Sequence, residues 1–293
     1  MRPKQKGYTL VELMVAMFLG LLVSIAALQL FISSRQTAGS QRAASQTQDQ
    51  GQMILNTLVS DLRSAGESPS NLQGVNTQSV GLPSEVVVGN SSWPSSLATP
   101  PDSDSFSGSN SVAVTYLVDA TQQTPTDCNG YPETVNNGVS QILNVYYVAK
   151  SASYTASNPV LSLWCLGNGT GSTAQELAQG VDVMRVLYGV DNTIDGTLAP
   201  TQWVSDPNSL NASLGYQAPV VAVRIALLMQ SSQKQTTQPS KASSSTGTSI
   251  QVLNCVVPTT CATTVQLTDG YLRRLFVGTT LLRNNLFPAG TQW

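Results

Sequence analysis

The chain lacks histidine altogether and carries little charge, with Asp, Glu, Lys and Arg making up 10% of its 293 residues. Without an imidazole, nucleophilic catalysis of the Ser-His-Asp and Cys-His kinds is excluded.

The net charge is −2, and no cluster of Lys or Arg lies among aromatic residues. The adjacent pair Arg273 and Arg274 would point to opposite faces of a strand. We expect no direct nucleic-acid binding, because affinity for phosphates needs several gathered positive charges.

Cofactor and metal motifs are also missing. The glycine-rich stretch 167–171 lacks the lysine of a phosphate-binding loop and the strand-helix context of a dinucleotide fingerprint, so it is interpreted as a plain loop. Asp191 and Asp195 lie in a turn that weakly resembles a calcium loop, but the segment has too few acids and no closing glutamate. We therefore predict a structural turn there, no cofactor, no metal site and no enzymatic activity.

Two further absences coincide near the N-terminus. No charged residue occurs over 13–34, and no proline occurs between Pro3 and Pro69. About 20 apolar residues suffice to cross a bilayer as a helix, and the segment 13–32 supplies them. The basic residues before this segment predict a cytoplasmic N-terminus, and they are Arg2, Lys4 and Lys6.

Glu12 lies at the edge of this apolar run. A carboxylate there needs a partner, because charge is costly near hydrocarbon. For an isolated segment, the simplest interpretation is an uncleaved signal anchor whose Glu12 reaches the lipid headgroups. A secretory signal peptide is disfavoured, because no small-x-small cleavage motif closes the apolar run.

The heptapeptide from Gly7 to Leu13 resembles the class III signal of type IV pilins and type II secretion pseudopilins. The resemblance implies that a prepilin peptidase cuts after Gly7 and methylates the new amine of Tyr8, where the family usually has Phe. Glu12 would be the fifth residue of the mature chain, which in this family pairs with the N-terminal amine of a neighbouring subunit. Leu10 and Leu13 would pack in the same subunit interface.

A long helix is predicted over residues 8–66, with a membrane-spanning part at about 10–32 and an amphipathic part at about 53–65. In the latter, Ile54, Leu58 and Leu62 recur at helical spacing, and Gly66 and Pro69 then end the helix. An alternative is a membrane helix, a linker over 33–52 and a separate short helix. Gly39 and Gly51 would be flexible points in either arrangement.

Residues 67–293 are predicted to form a β-rich domain after a leader at 1–7 and the helix at 8–66. Low charge and alternating apolar residues favour strands there. The polar stretches 91–110 and 230–248 are interpreted as long loops. The predicted strands are 85–88, 111–118, 142–149, 160–166, 182–190, 220–229, 249–253 and 271–282.

Four cysteines all follow the membrane segment, which favours disulfides in an exported domain. The short spacing makes Cys255 with Cys261 the first choice, and it leaves Cys128 with Cys165. A zinc site is disfavoured, because the chain has no histidine and no Cys-x-x-Cys pair.

Three later segments, 183–191, 222–228 and 273–284, resemble PilW-type minor pilins and occur in the same order. The resemblance implies an α+β type IV pilin fold, with the long helix packed on the β-rich domain. It implies a subunit that primes the pilus and lies at its tip, with other minor pilins, the major pilin and a tip adhesin as candidate partners. The precursor would lie in the inner membrane with its domain in the periplasm, and the mature subunit in the pilus at the cell surface.

Two alternatives to this function are kept. The first is a J-type minor pseudopilin of a type II secretion system, which shares the same general plan. The second is a membrane-anchored periplasmic protein that binds a ligand or adheres to a surface and enters no filament.

Overall fold

The computed structural model describes residues 9–67, 87–88, 109, 111–155, 160–193, 199–205, 220–234, 248–253, 263–267 and 271–282. One helix, α1, runs without a break from Leu10 to Arg63. The single long helix predicted from the sequence is therefore confirmed, and the alternative with a linker over 33–52 is wrong.

The ends of α1 follow from its local sequence. Thr9 is the N-cap, and its Oγ1 accepts a hydrogen bond from the backbone N–H of Glu12 at 3.3 Å. At the other end Gly66 takes a φ of +74°, a conformation that favours glycine. The N–H of Gly66 then donates to the carbonyl of Thr115 at 2.9 Å, which ties the helix end to the first sheet.

Strands β1 to β5 form one antiparallel sheet in sequential order. A second antiparallel sheet has the order β11-β8-β6-β7, and β9 pairs with β10 in a separate hairpin. The strands are β1 (Val87–Val88), β2 (Val112–Asp119), β3 (Val139–Lys150), β4 (Leu161–Gly167), β5 (Gln175–Gln179), β6 (Val181–Val190), β7 (Gln202–Val204), β8 (Val220–Lys234), β9 (Thr248–Val252), β10 (Thr263–Leu267) and β11 (Tyr271–Leu281).

The core lies where α1 meets the two sheets. Leu58 and Leu62 of the helix share one buried cluster with Leu163 of β4 and with Tyr188 and Leu227 of the second sheet. All ten residues of β6 are buried. On the outer face of its sheet, Val183, Ala226 and Leu228 form a second cluster with Val252 of β9. The domain is therefore packed around β6 and β8.

The structure departs from the sequence prediction in the polar strands. Strands β5, β7 and β10 were not predicted, since their residues lack a clear apolar alternation. The predicted loop 230–248 is also partly wrong, because β8 continues to Lys234. Its extension pairs with β11, as Gln230 lies opposite Arg273 and Lys234 lies opposite Tyr271. Backbone pairing with β11 thus keeps this segment in a strand, although its side chains are polar.

Candidate subunit-assembly surface

The first half of α1 is bare. Every side chain from Leu10 to Gly39 is exposed, and none of the most apolar 18-residue window is buried. This is the one helix in the described residues that is long and apolar enough to cross a membrane. An apolar surface of this length is not stable in water, so lipid or the helices of other subunits must cover it.

Glu12 lies in the first turn of α1, on this exposed surface. Leu10 is 77% exposed and Leu13 is 54% exposed, so the carboxylate has apolar neighbours on both sides. The positive end of the helix dipole favours a negative charge at this position. Gly7 and Tyr8, the predicted processing site, lie outside the described residues, and cleavage there stays a prediction.

Two hydroxyls along the bare half bond to carbonyls of the helix itself. Ser24 Oγ donates to the carbonyl of Gly20 at 2.8 Å, and Thr37 Oγ1 donates to that of Ser33 at 3.0 Å. The guanidinium of Arg35 lies 4.8 Å from the centre of the Phe31 ring, just after the apolar run. The hydroxyl of Ser24, within the apolar run, can therefore enter a bilayer or a helix bundle already paired with a backbone carbonyl.

The second half of α1 is fixed to the second sheet by close contacts. A Cβ on Gly51 would overlap the ring of Phe276, so this glycine permits close packing, and its interpretation as a flexible point is wrong. Arg274 Nη1 donates to Gln48 Oε1 at 2.9 Å. Arg273 points the other way and forms a buried ion pair with Asp182, which confirms that the two arginines lie on opposite faces of the strand.

Asp61 joins α1 to the first sheet. Its Oδ2 accepts hydrogen bonds from Tyr146 Oη at 2.8 Å and from Asn144 Nδ2 at 3.1 Å. Burial raises the pKa of the Asp61 carboxyl, although these hydrogen bonds oppose the rise. Burial and the charge of Asp61 also raise the pKa of Tyr146. Hydrogen bonds from the first sheet, given by Tyr146, Asn144 and also Tyr116, therefore stabilise the carboxylate in this site.

A disulfide links Cys128 to Cys165 in β4, which is the second of the two pairings predicted from the sequence. The backbone N–H of Cys128 donates to Asn144 Oδ1 at 2.9 Å. The amide of Asn144 thus connects the disulfide loop with Asp61 of the helix. Cys255 and Cys261 lie outside the described residues.

The loop around Cys128 contains two acids, Asp127 on its N-terminal side and Glu133 on its C-terminal side. Asp127 Oδ1 accepts from the backbone N–H groups of Asn129 and Tyr131, both at 2.9 Å, and its Oδ2 accepts from Gly169 N at 3.2 Å. Glu133 is 5% exposed, and its Oε1 has no hydrogen-bond partner. Burial, together with the charge of Asp127, raises the pKa of Glu133 to about 7.

The weak calcium-loop candidate is only partly described. Asp191 Oδ1 accepts from the backbone N–H and the hydroxyl of Thr193, at 2.9 and 2.7 Å. This oxygen therefore holds a local turn, while Asp195 lies outside the described residues. Where the structure is described, no three His, Cys, Asp or Glu side chains gather into a metal site.

Sequence reasoning placed Glu12, Leu10 and Leu13 but missed Asp61, Asp127 and Glu133. Asp61 had a detectable signal, because it lies seven residues after Ile54 and thus on the apolar face of the helix. An acid on such a face predicts a buried partner. The hydrogen bond to Tyr146 spans 85 residues of sequence, so the identity of that partner had no local signal.

Two family models match parts of the chain. A family model described as type IV pilus-assembly protein W matches residues 145–284. A second model, the prokaryotic N-terminal methylation motif, matches residues 2–28. No match was found among curated protein sequences. A solved type IV-like pilin from Thermus thermophilus is 16% identical, with a TM-score of 0.33, over 61% of this chain and 81% of that chain.

Proposed function

We propose that this chain, whose two family matches support a PilW-like type IV minor pilin, primes pilus assembly together with other minor pilins and lies at the pilus tip. The bare apolar half of α1, with Glu12 in its first turn, carries this proposal. A helix of this kind can rest in the membrane as a precursor and then join a bundle of like helices. The methylation motif implies processing by a prepilin peptidase before that step.

In this proposal the leader is removed after Gly7 and the anchor lies in the inner membrane with its domain in the periplasm. Glu12 then pairs with the methylated N-terminal amine of a neighbouring subunit. In an apolar bundle a charged group finds few other partners, so this pair would select both partner and register. The β-rich domain stays at the outer surface, where it contacts other pilins.

Glu12→Gln tests the pairing, since it keeps the size of the side chain and removes its charge. We expect a chain that is cleaved and inserted normally but yields few surface pili in a strain without the native copy. Asp49→Asn is the matched control, because Asp49 is an exposed acid on the same helix beyond the apolar run. Pili counted by electron microscopy, and the processed fraction measured by mass spectrometry, give the two readouts.

Wild-type piliation by Glu12→Gln would overturn the pairing. A mature chain that still begins at Met1 in piliated cells would overturn the pilin function itself. A defect of equal size in Asp49→Asn would show a general effect of helix charge, and it would also overturn the specific role of Glu12.

A further inference from the structure

A groove runs between the second half of α1 and the edge of the first sheet. It encloses a cavity of about 540 Å³. The helix supplies one wall, strand β5 supplies the other, and Leu163 of β4 closes the floor. The lining residues on the helix are Gln50, Met53, Ile54, Thr57 and Leu58, and those on β5 are Glu176, Leu177, Ala178 and Gln179.

Both walls of this groove expose apolar side chains. Met53 is 72% exposed on the helix, and Leu177 is 41% exposed on β5. Among the described residues after the bare half of α1, only six large apolar side chains are exposed: Met53, Val135, Tyr154, Leu177, Val277 and Leu281. Two of the six therefore line one groove, which indicates a surface that becomes covered.

The outer edge of strand β5 is open among the described residues. There the strand pairs only with β4, at the end of the five-stranded sheet. It contains neither lysine nor proline, two residues that commonly prevent an edge from pairing with another chain, and its one charged side chain, Glu176, accepts hydrogen bonds from Ser151 and Ser162. An open edge of this kind offers backbone N–H and C=O groups to an added strand.

The edge is held rigidly in place. Glu176 Oε1 accepts from the hydroxyls of Ser151 and Ser162, and its Oε2 accepts from the backbone N–H of Ala152. These three hydrogen bonds lower the pKa of Glu176 despite its partial burial. The groove is therefore preformed, so a partner would lose little free energy in ordering it.

We propose that an extended segment of a neighbouring pilin subunit adds to β5 as a sixth strand and inserts an apolar side chain between Met53 and Leu177. This rests on the proposed function, because the neighbour is brought there by the same helix. The bare half of α1 ends near Gly39, and the groove begins at Gln50. A subunit that packs along the bare half of α1 would therefore continue onto the groove beside β5.

Site-specific photo-crosslinking in piliated cells tests the partner. The full-length chain carries p-benzoyl-phenylalanine at Leu177 in one strain and at Leu22, on the bare half of α1, in another. We expect the Leu177 probe to crosslink to a strand segment of another pilin subunit, identified by mass spectrometry of the joined peptides. The Leu22 probe is expected to crosslink to the anchor helix of a pilin.

Crosslinks from Leu22 without any from Leu177 to a pilin would overturn the groove proposal and leave the proposed function intact. Crosslinks from Leu177 to a pilin helix, or to a protein that is not a pilin, would also overturn it. Absence of pilin crosslinks at both positions would overturn the proposed function and the groove together.

A charge placed in the groove gives a second test. Leu177→Lys should lower the amount of pilin that co-isolates with the tagged chain about tenfold, equivalent to about 1.4 kcal/mol. Val277→Lys is the matched control, since Val277 is 47% exposed on β11, outside the groove. Equal co-isolation in the two variants, whether normal or reduced, would overturn the proposal.

Discussion

At the scale of single residues, Asp61 is the polar group on which the packing of the helix against the first sheet depends. Removing its carboxylate would leave the hydroxyl of Tyr146 and the amide of Asn144 without their acceptor in a largely buried site. An unsatisfied buried donor costs about 1–3 kcal/mol. Asp61 thus acts in stability and positioning, whereas Glu12 on the same helix is exposed and available to another chain.

We therefore expect Asp61→Ala to lower the free energy of unfolding by about 2–4 kcal/mol, since two donors lose their partner. Chemical unfolding of the detergent-solubilised full chain measures this change. Asp49→Ala, an exposed acid on the same helix, is the control and should change stability by less than about 0.5 kcal/mol. Equal losses in the two variants would contradict the role given to Asp61.

Glu133 predicts a dependence of stability on pH. Its pKa in the folded state, about 7, lies above the ordinary value of 4.5, so folding favours the protonated form. The stability that this contributes is complete below pH 4.5 and is lost as the pH rises through about 7. Glu133→Gln should then be more stable than the wild type at pH 8, by about 1–2 kcal/mol, and nearly equal to it at pH 4.

Unfolding of both proteins across that pH range checks the prediction. Glu67→Gln is the comparison variant, because Glu67 is an exposed acid. A difference between Glu133→Gln and the wild type that is constant with pH would show that burial of the charged form is not the cause.

At the scale of elements, Gly39 and Gly51 of α1 differ, although both lie at similar polar positions in the sequence. A Cβ on Gly39 meets nothing within 4 Å, whereas one on Gly51 overlaps Phe276. Gly39→Ala should raise stability by about 0.5–1 kcal/mol, because alanine favours a helix. Gly51→Ala should lower it by about 1–3 kcal/mol, because the helix or the ring must shift.

Thermal unfolding of the two variants, beside the wild type, gives the measurement. Each glycine variant is the control for the other, since both gain the same helix propensity. Stabilisation by Gly51→Ala would contradict the close packing of α1 on β11.

The disulfide between Cys128 and Cys165 is the second stabilising feature at this scale. It closes a loop with a sequence separation of 37 residues, and the entropy that this link removes from the unfolded chain predicts a stabilisation of about 4 kcal/mol. We expect the double variant Cys128→Ser and Cys165→Ser to lose about that much stability in urea unfolding under oxidising conditions. An unchanged unfolding midpoint would contradict a structural role for this bond.

At the scale of the whole molecule, the sequence predicted the parts that depend on local periodicity. The stripe of Ile54, Leu58 and Leu62 and the apolar strands β2, β6 and β8 repeat at the spacing of their element, so their type could be inferred directly. Strand β5 and the polar end of β8 could not, because neighbouring strands hold them through backbone pairing. That pairing is set by the tertiary fold.

The candidate site, too, was only partly predictable from the sequence. Glu12 could be predicted because its spacing from Gly7 is a local motif, and its role in assembly stays a prediction. The groove beside β5 was not found, because it joins Met53 to residues more than a hundred positions later in the chain. A surface assembled from distant segments has no signature in any one of them.

The hydrogen bonds of Asn144 have a mechanical consequence. In a filament under tension, the pull on the anchor would reach the domain through the contacts of α1. At Asp61 the force passes to Asn144, whose other amide atom holds Cys128, and the bond to Cys165 then carries it into β4. The contact between the last turns of α1 and the first sheet is thus braced by a covalent link, which would help it to resist shear.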